Sequence, residues 1–148
     1  MTEFETLWFF GSRGLVAMIA GIIMGIEREK GGKSAGIKTI VFVSLGSSMF
    51  AASSFYLKMI YPEIDPTRII GQIITGIGFL GAGVIIKNDS KISGLTSSAI
   101  IWIACAAGTL AGCGLVFVPI FAALTFIILI YLLRKFENSL DHKDNESV

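Results

Sequence analysis

The segment GIEREKGGKSAGIKT, residues 25–39, marks the border between an apolar run and a polar connection. Residues 7–26 before it are almost entirely apolar, and about 20 such residues in a helix are enough to cross a bilayer. The segment itself carries six charged side chains: Glu27, Arg28, Glu29, Lys30, Lys33 and Lys38. The segment is therefore either a solvent-exposed loop that sets the orientation of the protein in the membrane or a segment that contributes directly to its function.

The composition of the whole chain indicates an integral membrane protein. Of its 148 residues, 53% are hydrophobic and 16% are charged, whereas about a quarter of a soluble domain is charged. Glycine is frequent in membrane helices, and the chain has 17. The net charge of +1 and the lack of a basic block outside the loops exclude nucleic acid as an expected partner.

Five apolar segments are predicted to span the membrane, and the expected partner of their outer faces is the lipid bilayer. They cover residues 7–26, 39–57, 69–86, 97–111 and 115–133. The predicted fold class is all-α: a polytopic bundle of about five transmembrane helices. The expected membrane domain covers 1–136, and 137–148 form a polar cytoplasmic tail that we expect to be disordered at its end.

Lysine and arginine predict the orientation of these spans, because cytoplasmic loops are enriched in both residues. Nine of the 12 lie in the first loop, the third loop and the tail, and the other three are Arg13, Lys58 and Arg68. The N-terminus is therefore expected outside and the C-terminus inside, which agrees with an odd number of spans.

Several helix ends carry recognisable signals. Asp65 and Pro66 predict a helix start, because aspartate caps well and proline suits the first helical position. Leu95-Thr96-Ser97 is expected to cap the fourth span, and Gly31-Gly32 to end the first.

Small and polar residues recur within the spans. Gly21, Gly25, Gly78 and Gly81 are expected at helix contacts, where small residues allow close packing. A serine stripe on the second span includes Ser47 and Ser48, and the third span adds Gln72 and Thr75. These side chains are consistent with a compact bundle or with a polar path through it. No acidic residue, lysine or histidine lies mid-span, although ion relays usually contain one.

Enzymatic motifs are missing from the sequence. Residues 76–81 spell GxGxxG, but they lie inside a membrane-length helix instead of following a strand. The single histidine, His142, lies in the tail, and Cys105 and Cys113 are expected to be packing residues. We therefore expect no enzymatic activity and no cofactor.

Arg13 falls inside the first predicted span, where an unpaired guanidinium is costly. We expect it to pair with Asp65, with Arg68 in the same outer network. The alternative is that the helix starts later and Arg13 lies among the headgroups.

Three blocks in order, GIEREKGGKSAGIKT (25–39), DPTRIIGQIITGIGFLGAGVII (65–86) and GLTSSAIIW (94–102), resemble the MgtC/SapB family of bacterial inner-membrane proteins. The family commonly has AGLRTH where this chain has AGIKTI (35–40), and GLTTAA where it has GLTSSA (94–99). Longer members add a soluble cytoplasmic domain, so this chain resembles a short member. The resemblance implies a multi-pass protein of the bacterial inner membrane that is associated with growth at low magnesium and survival in host cells. Some members are reported to restrain the F-type ATP synthase, and others carry transport names.

The family pattern falls on the opening segment, which is therefore expected to do more than orient the chain. We define the charged cap, expected on the cytoplasmic side, as Glu27, Arg28, Glu29, Gly36, Lys38, Thr39, Gly94 and Thr96. Three roles for the charged cap remain open: a folded structure that closes this end of the bundle, a docking surface for a partner protein, or the ion-binding mouth of a pore. The sequence leaves open whether a metal binds, but the topology excludes one magnesium site shared by Glu27 and Asp65.

Two classes of function remain from the sequence. The first is a non-enzymatic regulator that contacts another membrane complex. The second is a small channel or transporter for Mg²⁺ or another small ion, acting as a homo-oligomer and using the serine stripe with Gln72 and Thr75. The absence of mid-span charge favours the regulator.

Overall fold

The computed structural model describes residues 2–30, 34–89 and 91–145. Within them the chain forms five α-helices and one short β-hairpin. The elements are α1 (Glu3–Lys30), α2 (Ile37–Ile60), α3 (Pro66–Val84), β1 (Ile86–Asn88), β2 (Lys91–Ser93), α4 (Leu95–Gly112) and α5 (Phe117–Asn145). All five helices are long and apolar enough to cross a membrane, which confirms the predicted multi-pass bundle.

The first helix begins earlier than its apolar run, because its start is capped. The Thr2 hydroxyl accepts a hydrogen bond from the Glu5 amide at 3.2 Å, and the Glu5 carboxylate accepts one from the Thr2 amide at 2.7 Å. This reciprocal pair is a capping box, a motif that the sequence analysis missed. Since α1 already starts at Glu3, the later helix start of the alternative for Arg13 is wrong, and the position of Arg13 among the headgroups stays a prediction.

A short hairpin follows α3 and corrects the predicted end of the third span. The third span was expected to reach residue 86, but α3 ends at Val84 and Ile86 pairs with Ser93. Asn88 ends β1 and Asp89 follows it, and both are residue types that favour turns over helix. The last residues of the apolar run are therefore strand instead of helix.

The centre of the bundle is formed by α1, α2 and α4. Half of the apolar window of α4 is buried, whereas only 11% of that of α3 is buried. Glycines bring the central backbones together: a methyl group on Gly21 would lie 3.0 Å from the Val41 Cα, and one on Gly108 would overlap the Ser44 carbonyl. Gly21, one of the glycines expected at helix contacts, lies at the contact of α1 with α2, and Gly108 lies at the contact of α4 with α2.

The fifth helix extends past its apolar part through the polar sequence to Asn145. The polar segment from residue 137 continues this helix to Asn145, and residues 146–148 lie outside the described residues. The helix end predicted at Gly31-Gly32 also lies outside them.

Candidate functional site

Five segments meet at one end of the bundle because consecutive helices alternate in direction. They are the end of α1, the start of α2, the hairpin, the start of α4 and the second half of α5. The charged cap lies at this end, called the Arg28 end below. We expect it to face the cytoplasm, from the distribution of lysine and arginine.

Arg28 is the buried centre of this end, with only 2% of its surface exposed. Its Nη2 donates a hydrogen bond to the Ser97 hydroxyl at 2.9 Å, which joins α1 to α4. The Ser34 hydroxyl also donates to Ser97, at 3.0 Å. Glu27 Oε2 lies 3.7 Å from Arg28 Nη1, and the other Glu27 oxygen pairs with Arg134 of α5. One network of ion pairs and hydrogen bonds, centred on buried Arg28, therefore ties three helices together.

Glu29 supplies the cap that α2 lacks in its own sequence. The N-cap residue of α2 is Gly36, which has no side chain, and Glu29 Oε2 accepts a hydrogen bond from the Ile37 amide at 3.0 Å. A Cβ on Gly36 would lie 2.5 Å from that oxygen. Gly36 therefore leaves room for the Glu29 carboxylate to approach the start of α2.

The start of α4 differs from the predicted cap. Gly94 is the N-cap, with a φ of 87° and no side-chain cap, and its Cβ would overlap the Val84 carbonyl. Only glycine adopts this backbone at low cost. Capping by Leu95-Thr96-Ser97 is therefore wrong, because the Ser97 hydroxyl is directed to Arg28.

The structure brings together most of the predicted charged cap. Glu27 and Arg28 form the ion network, Glu29 meets Gly36, and Gly94 and Thr96 line a cavity of about 600 Å³. Lys38 and Thr39 are exposed on the first turn of α2 and do not line this cavity. Sequence reasoning missed three contributors: Ser34, Ser97 as a partner of Arg28, and Arg134.

The predicted polar path is only partly assembled. Ser47 donates to the Cys105 sulfur at 3.2 Å inside the contact of α2 with α4, and Ser48 is fully buried. Gln72 and Thr75 are exposed on α3. Ser47 and Gln72 share a mostly apolar groove of about 310 Å³ between α2 and α3, which Ser48 and Thr75 do not line. The four side chains therefore do not line one common passage.

The glycines predicted at helix contacts behave differently on different helices. Gly21 and Gly25 lie against α2, where a Cβ on Gly25 would be 2.9 Å from the Ile37 Cα, and Gly81 lies near the Ser98 hydroxyl. No described atom comes within 4 Å of a Cβ built on Gly78, so its predicted packing contact is absent among the described residues.

The predicted pair of Arg13 with Asp65 is not formed. Arg13 Nη1 donates to the Phe9 carbonyl at 2.7 Å, its Nε donates to the Gly112 carbonyl at 3.1 Å, and its guanidinium lies 3.5 Å from the centre of the Phe9 ring. Arg13 thus satisfies the free carbonyl end of α4, a partner that sequence spacing does not reveal.

Asp65 instead caps α3. Its Oδ1 accepts hydrogen bonds from the Thr67 hydroxyl at 2.7 Å and the Thr67 amide at 2.9 Å, as predicted for a helix start at Asp65-Pro66. These bonds hold the pKa of the Asp65 carboxyl below its usual value. Arg68 is exposed one turn into α3, so the predicted three-residue outer network is replaced by a local cap.

In a comparison with models of known protein families, the sequence matches the model of the MgtC family. The family model matches residues 15–139, which cover the five helices except the first turns of α1 and the end of α5. The chain is therefore a member of the MgtC family.

Three relatives give the extent of the similarity. YhiD of Escherichia coli K12, named "Putative magnesium transporter", is 34% identical over 89% of this chain and 64% of its own length. SapB of Bacillus subtilis is 39% identical over 77% of this chain and 51% of its own. MgtC of Brucella abortus is 36% identical over 80% and 48%. The chain thus spans about half to two thirds of these relatives, and no solved structure matches it.

Proposed function

We propose that this protein is a non-enzymatic membrane regulator that acts by contacting another membrane complex. The resemblance to MgtC and SapB supports a role in adaptation to low magnesium or host stress, and it makes the F-type ATP synthase of the bacterial inner membrane the first candidate target. The physical argument for a regulator comes from how the bundle uses its polar groups.

One observation carries the proposal: Ser44 and Ser47 of the α2 stripe are hydrogen-bonded inside the packed centre, and Ser48 is buried there without a hydrogen-bond partner among the described residues. Ser44 donates to the Ala17 carbonyl at 2.8 Å, and Ser47 donates to Cys105. Gly108 places the α4 backbone directly against Ser44. Hydroxyls that bond across helix contacts hold a membrane bundle together, and they are then not free to solvate a moving ion.

The outer helices supply surfaces for a partner in the membrane. Most of α3 is exposed, including Gly71, Thr75 and Gly76. The space next to the two glycines is open, since no described atom other than the adjacent backbone of α3 lies within 4 Å of a Cβ built on either of them. Small exposed residues allow a second membrane helix to approach closely. A regulator that binds another complex through α3 needs no internal passage.

The runner-up is a small oligomeric channel or transporter for Mg²⁺ or another small ion. Two observations favour it: the name of the Escherichia coli relative YhiD, and the groove of about 310 Å³ that Ser47 and Gln72 share. In a homo-oligomer such grooves would face one another only if α2 and α3 formed the interface.

A substitution scan separates these functions. A strain that lacks its own family members is complemented with each variant, and growth at low magnesium is measured at matched membrane levels of protein. The regulator predicts that Lys38→Gln and Thr96→Val, both at exposed cap positions, lose growth while Ser47→Ala and Gln72→Leu retain it. Lys58→Gln, an exposed charge at the opposite end, is the matched control. Loss of growth only in the Ser47 and Gln72 variants would contradict the regulator and favour the conduit.

A further inference from the structure

Neither the regulator nor the channel function requires the cavity of about 600 Å³ at the Arg28 end. It lies between the hairpin, the start of α4 and the second half of α5. The polar residues that matter for its chemistry are Arg28, Ser34, Thr96, Ser97, Arg134 and Glu137.

Several hydrogen-bond donors around this cavity are left without an acceptor. Arg28 is 2% exposed, and its buried Nε has no hydrogen-bond partner among the described residues. Ser97 accepts hydrogen bonds from both Arg28 and Ser34, so its own O–H remains available to donate. A buried donor without an acceptor is energetically costly, so such groups usually have a partner.

The start of α4 adds further donors to the same cavity. Its N-cap Gly94 contributes no side-chain acceptor, and Gly94, Leu95 and Thr96 line the cavity. The first amides of a helix have no partner within the helix, and they carry the positive end of its dipole. With 18 residues, α4 is long enough for this effect. The lining groups without an acceptor are donors, so the complement they require is a group with several acceptor oxygens.

The carboxylates nearby leave room for such an anion. Both Glu27 oxygens lack a hydrogen bond among the described residues, but they lie in ion pairs with Arg28 and Arg134, and Glu27 does not line the cavity. Glu137 does line the cavity, but it is exposed to solvent, where its charge is screened. Arg134 is half-exposed and lines the cavity, so its guanidinium can reach a second acceptor.

Apart from Ser93 and Gly94, the rest of the lining is apolar. Ile86 and Ile92 of the hairpin and Leu133 of α5 face the cavity, and all three are exposed large hydrophobic residues. The cavity lies where the apolar part of α5 gives way to its charged part at Arg134 and Lys135. An anionic headgroup with attached acyl chains matches both halves of this lining, and anionic lipids are present on the cytoplasmic side of membranes.

We propose that the cavity at the start of α4 binds a phosphate group, and that this phosphate belongs to the headgroup of an anionic phospholipid. The phosphate oxygens accept from Arg28 Nε, the Ser97 hydroxyl and the first amides of α4, and the acyl chains run along the apolar lining. Free inorganic phosphate has the same acceptor oxygens as the headgroup, but it lacks acyl chains that could contact Ile86, Ile92 and Leu133.

The test uses the full chain, purified and delipidated in an uncharged detergent. Native mass spectrometry and thermal melting are followed during titration with dioleoyl phosphatidylglycerol, dioleoyl phosphatidylcholine or inorganic phosphate. The informative variant is Thr96→Glu, because a carboxylate in the first turn suits the helix dipole but occupies and repels the anion site. Thr39→Glu is the matched control: it makes the same change in the first turn of α2, outside the cavity.

We expect one phosphatidylglycerol per chain, bound roughly tenfold more tightly than phosphatidylcholine, as suits one net charge-assisted contact. Thr96→Glu should remove this preference without lowering the melting temperature, and Thr39→Glu should keep it. Stabilisation by inorganic phosphate without any lipid preference would support the phosphate site and overturn the lipid as its source.

Equal binding of the two lipids with no effect of phosphate would overturn the proposal. The same holds if Thr96→Glu and Thr39→Glu bind phosphatidylglycerol alike. Should Thr96→Glu not be recovered from membranes, Arg134→Gln against the exposed, charge-matched Arg68→Gln makes the same comparison. Because the readout is binding, this result is independent of whether the protein regulates a complex or conducts an ion.

Discussion

Arg28 on α1 donates a 2.9 Å hydrogen bond to Ser97 on α4, although 69 residues separate them in the chain. The bond lies at the centre of an ion network in which Glu27 joins Arg28 to Arg134. The Arg28 end of the bundle is thus a fixed structure and not only a set of loop charges that orient the protein.

Replacement of Arg28 by leucine should destabilise the protein strongly. The change leaves buried Glu27 with Arg134 alone, and loss of one partner from a buried ion pair costs about 3–5 kcal/mol. The apparent melting temperature in detergent should fall well below that of the wild type. Arg68→Leu removes an exposed arginine at the opposite end and should melt like the wild type. Equal melting of both variants would mean that the network contributes nothing.

Alanine at Gly108 should disrupt the central packing. Its Cβ would overlap the Ser44 carbonyl, a backbone atom that cannot move without shifting α2. The matched change is Gly78→Ala, where the described structure has open space and alanine improves helix propensity by about 1 kcal/mol. Melting should therefore drop for Gly108→Ala and stay the same or rise for Gly78→Ala. The reverse order would show that the α2–α4 contact is misplaced.

Arg13 and Asp65 should be energetically independent. Arg13 bonds the Gly112 and Phe9 carbonyls, whereas Asp65 caps α3 through Thr67. In a double-mutant cycle with Arg13→Asp and Asp65→Arg, the coupling energy should lie within about 0.5 kcal/mol of zero. The readout is the melting temperature of the two single variants and the double variant. If the double variant instead melts at a higher temperature than either single variant, the two residues are coupled, and the Arg13–Asp65 ion pair predicted from the sequence is supported.

The orientation of the bundle can be measured with cysteine labelling. In a background with Cys105→Ser and Cys113→Ser, a single cysteine replaces either Lys91 in the hairpin or Arg68 in α3, both of which are exposed. In intact cells a membrane-impermeant maleimide should label the Arg68 position only, because the hairpin end is expected in the cytoplasm. Labelling at Lys91 and not at Arg68 would invert the topology.

The sequence alone predicted the membrane helices but not the side-chain contacts between them. Apolar length identified the five spans, and Asp65-Pro66 correctly placed the start of α3, because both signals are local. Arg28–Ser97 and Arg13–Gly112 connect residues far apart in the chain, and no spacing rule reports such partners. The hairpin was missed because Ile85 and Ile86 continue the apolar pattern of α3, although β-branched residues suit a strand equally well.

The charged cap shows the same division between local and long-range information. The sequence predicted its members from residues 25–39 and from the glycine-containing segment at residues 94–99. The structure adds that the Glu29 carboxylate caps α2 at Gly36, which has no side chain of its own to do so. Ser34 and Arg134 carry no pattern of their own, and only the folded bundle places them around Arg28. The polar stripe misled for a physical reason, since serine hydroxyls that bond across a helix contact look the same in sequence as hydroxyls that line a path.

The measurement that tests the central claim most directly compares two proton gradients in inverted bacterial membrane vesicles, with and without this protein. One gradient is driven by ATP through the F-type ATP synthase, and the other by NADH through the respiratory chain. A regulator of the synthase predicts that the ATP-driven gradient falls while the NADH-driven gradient is unchanged. Loss of both gradients would mean that the protein conducts ions, and two unchanged gradients would remove the synthase as its target; either result would contradict the account.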